Sequence, residues 1–431
     1  MVLKSTRNEN ASAQFKEAIF IGLAPDGGLY YPAEKIDFSD VYGKFDSTTP
    51  FNTIATELTA AFLKDETDRE GAERIVNRAF NFEPVLAEVG EGIQVLELFH
   101  GPTCAFKDFG ASFLASSMEE FLNEGKERAI ILTATSGDTG SAVARAFYGK
   151  KNIDVVILYP SGRVSPLQEK QLTTLGGNIH ALEVKGSFDD CQRMVKEAFG
   201  NASLKEEFSL SSANSINIGR LFPQSFYYVW ARMQQGGENP VFCVPSGNFG
   251  NITAGLYAAN WGLPVDHFVA ATNANKVVPE FLENGVYSPR ASVTTHSNAM
   301  DVGAPSNFER MEMLYNKDVA NFRKQIHGDW VSDKETEETM SRIHKEYGYL
   351  MCPHTAVGYL AAERYRAKVG NKPVITLSTA HPGKFVEVVD DVLGIKPELP
   401  PELSSLLNKE KKAELVENKV EEIEAFLRRN F

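Results

Sequence analysis

The chain has 431 residues, of which 43% are hydrophobic and 23% are charged, and its formal net charge is −13. One hydrophobic core rarely serves a chain of this length, so two or three domains are expected. The acidic balance argues against a nucleic-acid-binding surface, although a local pocket can still hold an anionic small substrate.

The first residues, "MVLKSTRNENASAQFKEAIF", have no continuous apolar run after their basic residues. They do not have the pattern of a secretory signal, and no apolar run approaches the roughly 20 residues that span a bilayer. The four cysteines are widely scattered and form no CxxC pair. The sequence therefore predicts a cytoplasmic protein with reduced thiols, no membrane contact and no metal site.

The first 95 residues differ in pattern from the rest of the chain. A glycine-rich turn with aromatic residues, "GLAPDGGLYYP", is followed by helical segments near 52–64 and 69–80. These residues lack the regular alternation of strand and helix that comes later, so we predict an N-terminal cap domain over residues 1–95.

Further along the chain, a short apolar run that ends in small polar residues and leads into a helical pattern recurs several times. The segments are "VLELFHGPTCAFKDFGASFL", "RAIILTATSGDTGSAVARAF", "IDVVILYPSGRVSPLQEKQL", "PVFCVPSGNFGNITAGLYAA" and "KPVITLSTAHPGKFVEVV". Strands that alternate with helices need crossover connections and form largely parallel sheets. We therefore predict an α/β body of two domains, a smaller one over residues 96–235 and a larger one over residues 236–431.

Individual helices are also predicted. Apolar residues follow helical spacing from Phe109 to Leu122, and "SDKETEETMSRIHKEYG" begins with the capping and acidic residues typical of a helix N-terminus. The densely charged tail, residues 408–431, predicts an amphipathic helix on the exterior. Its apolar side would carry Leu415, Ile423, Phe426 and Leu427.

The loop "PSGNFGN", from Pro245 to Asn251, follows a strand pattern and precedes a helical one. In open α/β sheets, ligands bind beyond the carboxyl ends of the strands. Glycines let backbone N–H groups approach an anion, so the loop is a candidate phosphate cradle, although it lacks the GK[ST] of a Walker loop. A tight strand–helix turn without a ligand is the alternative, and this loop alone does not separate the two.

Two further loops carry polar side chains. "TSGDTGS", from Thr135 to Ser141, offers donors for a carboxylate or a phosphate, but Asp138 would repel an anion unless it faced a cation or a donor. Asp138 is alternatively a helix N-cap. In "SSANSINIGRLFPQ", Arg220 is either a bidentate phosphate ligand beside neutral donors or an ordinary surface ion-pair partner.

Lys107 in "HGPTCAFKDFG" lies between Phe106 and Phe109. Most lysines are solvated, but partial desolvation here would disfavour the ammonium form and free an amine for Schiff-base chemistry. Such an amine needs an aldehyde partner. Together with a phosphate cradle, this requirement favours pyridoxal phosphate as the cofactor.

The motifs "HGPTCAFKDFGASFLA", "TATSGDTGSA", "NSINIGR", "PSGNFGN" and "STAHPGKF" occur in that order. As a set, they closely resemble the longer branch of the threonine synthase family. The resemblance covers nearly the whole chain, including "DGGLYYP" near the N-terminus. It implies the tryptophan-synthase-β-like fold of pyridoxal-phosphate enzymes, with two open twisted sheets flanked by helices and an N-terminal cap.

The resemblance also implies a cofactor site. Lys107 matches the family lysine that forms the Schiff base, and Thr379 matches the hydroxyl that faces the pyridine nitrogen. The loop that holds the cofactor phosphate matches Gly247, Asn248, Phe249, Gly250 and Asn251. Related enzymes often use asparagine to contact the 3′ oxygen of the cofactor where this chain has Asp138, so that contact stays open.

For the substrate, the family positions that bind its phosphate match Thr139, Asn214, Ser215 and Arg220. Ser136 lies in the loop expected to face the substrate carboxylate. The family reaction converts O-phospho-L-homoserine and water into L-threonine and phosphate, with Lys107 as the proton shuttle. We expect this small molecule as the partner, and a monomer or homodimer as the assembly.

Two alternatives stay open. A dehydratase or phospho-lyase on the same scaffold would stop at elimination and yield 2-oxobutyrate, although "NSINIGR" favours a phosphorylated substrate. A non-catalytic protein that binds a small molecule would keep the fold, although the intact lysine favours an enzyme.

Overall fold

The computed structural model describes residues 1–34, 36–122, 128–135 and 137–431. The strands are β1 (Val2–Ser5), β2 (Ser12–Gln14), β3 (Tyr30–Pro32), β4 (Val85–Glu88), β5 (Ile93–Glu97), β6 (Ala129–Ala134), β7 (Ile153–Pro160), β8 (Ile179–Val184), β9 (Leu210–Ser211), β10 (Val241–Pro245), β11 (His267–Thr272), β12 (Ile326–Trp330), β13 (Val374–Ser378) and β14 (Glu414–Val416).

The α-helices are α1 (Phe15–Ile21), α2 (Ser39–Tyr42), α3 (Phe51–Phe62), α4 (Arg69–Ala79), α5 (Lys107–Leu122), α6 (Asp138–Phe147), α7 (Pro166–Thr173), α8 (Phe188–Gly200), α9 (Ala202–Glu207), α10 (Ile218–Leu221), α11 (Gln224–Gln235), α12 (Gly250–Asn260), α13 (Val277–Asn284), α14 (Phe308–Leu314), α15 (Val319–Arg323), α16 (Asp333–Tyr347), α17 (Pro353–Val369), α18 (Val386–Leu393), α19 (Pro401–Ser404) and α20 (Val420–Asn430). Short 3-10 helices cover Asn298–Met300 and Pro382–Lys384. In the described ranges, every helix is too short or too polar to pass through a lipid bilayer.

Within the described residues the strands form three sheets. Sheet A is the antiparallel set β2-β1-β3 at the N-terminus. Sheet B has the order β12-β11-β10-β13-β5-β4 and is parallel except for β4, which runs antiparallel to β5. Sheet C has the order β14-β8-β7-β6-β9 and is parallel throughout. The predicted α/β fold, with two open sheets, flanking helices and an N-terminal cap, is confirmed.

The sequence of each element explains its form. Every residue of β6, β7 and β10 is buried, as expected for parallel strands with helices on both faces. The predicted helix in "SDKETEETMSRIHKEYG" is α16, which starts with a capping box between Ser332 and Glu335 and ends at Gly348 in the left-handed conformation.

Sheet pairing crosses the predicted domain ranges. β5 lies at the predicted boundary between the first two ranges, yet it pairs with β13 in sheet B. β14 lies in the third range, yet it pairs with β8 in sheet C. Each of these sheets is assembled from separate parts of the chain, and the ranges 1–95, 96–235 and 236–431 stay a prediction.

The predicted helix over residues 408–431 was wrong in its first half. The helix α20 covers only Val420–Asn430 and buries Ile423, Phe426 and Leu427. Leu415 instead lies in β14 and is 54% exposed. The backbone N–H and C=O groups of this segment bond to β8, so they do not need the hydrogen bonds of a helix.

An aromatic core joins the N-terminal cap to α5. Phe51 and Phe80 lie 5.5 Å and 5.8 Å from Phe109, measured between ring centres. One turn further along α5, Phe113 lies 5.6 Å from Phe226 of α11. These buried rings pack against α5 and hold the helix in place. Its first residue, Lys107, is thereby held at the edge of sheet B.

Candidate active site

The turn that carries Lys107 is fastened to the segment that follows β13. The Phe106 N–H donates to the Thr379 carbonyl at 2.9 Å. Next to this bond, Ala105 and Ala380 form an isolated antiparallel bridge. The backbone thereby brings Lys107 and Thr379, two of the predicted site residues, together at the carboxyl edge of sheet B.

The Lys107 side chain is mostly buried, with 16% of its surface exposed. Its Nζ lies 3.6 Å from Asp138 Oδ2 and 5.8 Å from the centre of the Phe106 ring. Burial lowers the pKa of Lys107, the Asp138 charge opposes this effect, and the charges of Lys384 and Arg220 add to it. The amine is therefore easier to deprotonate than that of a solvated lysine.

Asp138 faces a cation and a donor, as the sequence required. Lys384 Nζ lies 2.9 Å from Asp138 Oδ1, and Gln168 Nε2 donates to the same oxygen at 3.0 Å. Burial alone would raise the pKa of Asp138, but the positive charges of Lys384 and Lys107 outweigh burial and hold the pKa well below its ordinary value. The alternative that Asp138 is an N-cap was wrong, because Gly137 holds that position in α6.

The loop between β10 and α12 has the shape of an anion cradle. Phe249 adopts the left-handed conformation with φ of 59°. A Cβ at Gly247 would lie 2.7 Å from Met300 Cα and 2.8 Å from the Ala299 carbonyl oxygen, so only glycine allows this approach. Since α12 begins at Gly250, the backbone N–H groups of its first turn have no partner within the helix.

Asn251 tests whether this loop fits a phosphate group. The hydroxyls of Tyr227 and Tyr228 both donate to Asn251 Oδ1 at 2.7 Å, which fixes the side-chain amide. Its Nδ2 is buried and has no hydrogen-bond partner among the described residues. A buried N–H donor without a partner is costly, and a phosphate oxygen would satisfy it. The residues present therefore fit the phosphate of pyridoxal phosphate.

Asn248 joins this loop to the segment predicted to bind the substrate phosphate. Its Nδ2 donates to Ser215 Oγ at 2.6 Å. On its other side, Asn248 Oδ1 accepts from the Ser306 N–H at 2.6 Å, and the Asn248 carbonyl accepts from Asn307 Nδ2 at 3.1 Å. Asn214, next to Ser215, accepts at Oδ1 from Thr133 Oγ1 at 2.5 Å. Motifs that are distant in sequence thus form one hydrogen-bonded unit.

Arg220 lies in α10 and is only 2% exposed, so it is not a surface residue. Its Nη1 donates to the Ala213 carbonyl at 2.5 Å, while its Nε is buried without a partner in the part of the chain that the structure describes. A Cβ at Gly110 would lie 2.6 Å from the Arg220 carbonyl oxygen, so this glycine lets α5 approach α10 closely. Burial lowers the pKa of Arg220 to about 10, which leaves it charged at neutral pH.

Not every predicted site residue is brought into direct contact. Thr139 lies half-buried in the first turn of α6, next to Asp138, and Ser136 lies outside the described residues. Among the described residues, no hydrogen bond or ion pair joins Lys107 to the loop at 247–251. The two follow β5 and β10, and β13 lies between these strands with Thr379 directly after its end.

Sequence reasoning missed several residues that surround these groups. Lys384 and Gln168 bind Asp138, and the charges of Lys107 and Asp138 act on buried His354. Asn307 and Arg310 hold the loops from the side of α14. The one available signal was that Lys384 lies in "STAHPGKF", in the loop after a strand end.

Comparisons with known protein families agree with this geometry. The pyridoxal-phosphate dependent enzyme family matches residues 82–380. The threonine synthase N-terminal family matches residues 3–80, and the threonine synthase C-terminal family matches residues 355–427. The threonine synthase of Escherichia coli strain K12 is 45% identical over 411 residues, which cover 94% of this chain and 94% of that protein.

Solved structures show the same similarity over the whole chain. A threonine synthase from Brucella melitensis with bound pyridoxal phosphate has a TM-score of 0.93 and 36% identity, and covers 100% of this chain and 99% of its own. The threonine synthase structure from Escherichia coli has a TM-score of 0.91 and 42% identity, and covers 100% of both chains. Together with a mostly buried lysine amine and a loop that fits a phosphate group, these matches show that this chain belongs to the threonine synthase family of pyridoxal-phosphate dependent enzymes.

Proposed function

We propose that this protein converts O-phospho-L-homoserine and water into L-threonine and inorganic phosphate. The observation that carries the proposal is Arg220, a buried guanidinium group whose Nε has no partner among the described residues. A buried guanidinium N–H without a hydrogen-bond partner is costly, and an oxygen of the substrate phosphate would accept from it. The hydrogen bond from Asn248 to Ser215 supports a substrate phosphate bound close to the cofactor.

In this proposal Lys107 Nζ would hold the aldehyde carbon of the cofactor, and the loop from Gly247 to Asn251 would hold its phosphate. The Thr379 hydroxyl faces the ring nitrogen, where a neutral partner suits an unprotonated pyridine. When bound, pyridoxal phosphate supplies an electron sink for negative charge that develops on the substrate. Asp138 belongs to the cofactor site in the same proposal.

The protein side chains then move protons and hold the leaving group. With cofactor and substrate bound, Lys107 Nζ would be free to accept the proton from Cα, and a second proton would leave Cβ. The bond between Cγ and the phosphate oxygen breaks. The proton taken from Cβ would be returned at Cγ, the hydroxyl of water would add at Cβ while the remaining proton of water leaves with the phosphate, and Lys107 would return a proton to Cα.

The departing phosphate is bound by Thr139, Asn214, Ser215 and Arg220. Positive charge and N–H donors aimed at this group stabilise the negative charge that grows as the bond breaks. Ser136, outside the described residues, faces the substrate carboxylate in this proposal.

The proposal includes a cytoplasmic location and a monomeric or homodimeric assembly. All four cysteines are free and buried, which suits a reducing compartment. The partner is the small-molecule substrate.

The direct test is incubation of the purified protein with O-phospho-L-homoserine, with threonine and phosphate measured together. Equal amounts of both products support the proposal. Release of 2-oxobutyrate and phosphate without threonine would instead identify a lyase that stops at elimination, and no phosphate release would indicate a non-catalytic binding protein.

Replacing Lys107 separates catalysis from binding. We expect Lys107→Ala to lose the visible absorption of the lysine-bound cofactor and to lower turnover by a factor on the order of 10³ or more, since a positioned base contributes on the order of 10²–10⁴. Lys372→Ala, which removes an exposed lysine paired with Asp266, is the control and should keep both properties. Unchanged turnover in Lys107→Ala would remove the mechanism.

A further inference from the structure

A second lysine, which the proposed reaction does not use, lies beside Lys107. Lys384 ends the 3-10 helix Pro382–Lys384, and its side chain is 0% exposed. Its Nζ lies 2.9 Å from Asp138 Oδ1, 2.8 Å from the Thr103 carbonyl oxygen and 3.1 Å from Gln171 Oε1. Three acceptors around one nitrogen match the three N–H bonds of an ammonium group, so Lys384 is charged.

The two lysines share one carboxylate unequally. Asp138 Oδ1 receives Lys384 and the Gln168 amide, whereas Oδ2 faces Lys107 at the longer distance of 3.6 Å. Two ammonium groups beside a single carboxylate in a buried site leave an excess positive charge. The proton that leaves most readily is that of Lys107, which is the less tightly bonded and the more exposed of the two.

We propose that Lys384 is a positioning residue of the active site, whose ammonium group binds and neutralises Asp138 so that Asp138 does not keep Lys107 permanently protonated. This inference rests on the proposed function, in which Lys107 works as a free amine. The Asp138–Lys384 pair carries no net charge, yet it keeps Asp138 Oδ2 directed at Lys107 to hold the amine in place.

Other charged and titratable groups around Lys107 favour the same outcome. The Arg220 guanidinium repels an ammonium group at Lys107. The charge on Lys107 likewise disfavours protonation of His354, whose pKa burial lowers to about 4. Asp108 follows Lys107 in the chain, but its carboxylate accepts from the Thr103 N–H at 2.8 Å and from Thr103 Oγ1 at 2.5 Å. The negative charge of Asp138 is thus the one that would keep Lys107 protonated, and the positive charge of Lys384 offsets it.

The test measures the pKa of the Lys107 amine in the full-length protein after cofactor removal, by competitive acetylation across pH and peptide mass spectrometry. Lys384→Met should raise this pKa by about one to two units, because an uncompensated carboxylate then faces Lys107. The neutral fraction of Lys107 near pH 7.5 would fall about ten- to a hundredfold. In the protein with bound cofactor, the pH below which the turnover rate falls should rise by a similar amount.

The double variant Asp138→Asn with Lys384→Met removes both charges and should return the pKa of Lys107 to within about half a unit of the original protein. Lys384→Arg keeps the positive charge and should do the same. Lys372→Met, at an exposed lysine, is the matched control and should change nothing. If Lys384→Met fails to fold, the double variant should restore folding.

Three results would overturn the proposal. They are an unchanged pKa of Lys107 in Lys384→Met, a double variant shifted as far as Lys384→Met, and failure of both variants to fold, which would make the pair purely structural. The acetylation measurement needs no substrate. An original protein that releases no threonine would therefore contradict the proposed function while leaving the inference on Lys384 to be decided by labelling.

Discussion

His354 is a buried histidine that must be neutral to accept its hydrogen bond. The Ala299 N–H donates to His354 Nε2 at 3.2 Å, so that nitrogen carries no proton and the ring proton lies on Nδ1. The residue is 3% exposed. Burial lowers its pKa to about 4, and the nearby Asp138 charge opposes this effect only in part. His354 thus supports, in its neutral form, the segment that closes over Gly247.

We expect this histidine to make the protein sensitive to acid. A folded-state pKa below the unfolded value of about 6.5 means that the unfolded chain binds the extra proton. The stabilisation is present above pH 6.5 and is lost as the pH falls towards 4, by on the order of 3 kcal/mol. His354→Gln, whose amide oxygen can accept from Ala299, should lose less stability over this range.

Thermal unfolding of both proteins between pH 8 and pH 4.5 checks this expectation. The difference in melting temperature should move in favour of His354→Gln as the pH falls. Parallel curves for the two proteins would show that His354 does not titrate in this way.

The site residues that could be identified from the sequence are those that lie in a recognisable local sequence pattern. Lys107 follows a strand pattern, a glycine–proline turn and a phenylalanine, and the loop at 247–251 has its glycines and asparagines within one turn. His354 has no such signature, and Lys384 has only its place in the loop after β13. Their roles depend on Asp138 and Ala299, which lie far away in sequence and come close only after the sheets have formed.

At the scale of elements, Arg310 of α14 ties three parts of the molecule together. Its Nε donates to the Tyr30 carbonyl of β3 at 2.9 Å, and Nη2 donates to the Ile216 carbonyl at 2.6 Å. Nη1 donates to Asn307 Oδ1 at 2.7 Å and to the Ser215 carbonyl at 3.3 Å. One guanidinium group thus connects the cap, the substrate segment and the support of the cofactor loop.

Arg310→Lys should therefore be far from conservative. An ammonium group cannot span these acceptors, and each buried carbonyl left without a donor costs about 1–3 kcal/mol. We expect a loss of stability on the order of 2–4 kcal/mol and a higher KM for O-phospho-L-homoserine, because the backbone of Ser215 is released.

Arg7→Lys is a matched control, because Arg7 lies in the loop between β1 and β2 and contacts the same helix, α14. Arg7 is 54% exposed and pairs with Glu309 of α14 at 2.6 Å. An exposed ion pair contributes about 0–1 kcal/mol, so this variant should stay close to the original protein in both measurements. Denaturant midpoints and KM values that are equal for the two variants would contradict the role of Arg310.

Secondary-structure elements that form only by pairing with a distant segment could not be predicted from the sequence. The apolar stripe of α20 was predictable because three of its members repeat at helical spacing and are buried. β14 was not, because only three residues pair with β8 and nothing in "AELVEN" distinguishes a strand from the start of a helix. Sheet A was also missed, since its strands have only three or four residues each and β1 pairs with β3 across β2 and the helix α1.

At the scale of the whole molecule, the C-terminal segment completes sheet C although it contributes none of the proposed site residues. Leu427 is 0% exposed, whereas Leu415 in β14 is 54% exposed. Leu427→Ala should lower stability by about 2–5 kcal/mol through the cavity that it leaves. Leu415→Ala should change stability by no more than about 0.5 kcal/mol.

Denaturant midpoints of the two variants measure this difference, and threonine formation at low temperature shows that the site itself is intact. Similar midpoints would mean that α20 does not stabilise the body of the protein.

The order of strands in sheet B also governs when the site can form during translation. β5 ends at Glu97, but its neighbour β13 begins only at Val374, so the edge of β5 stays open while most of the nascent chain emerges from the ribosome. The bond from Phe106 to Thr379 likewise needs the residue that directly follows β13. A cofactor that needs both Lys107 and Thr379 can therefore find its complete site only after β13 has been synthesised.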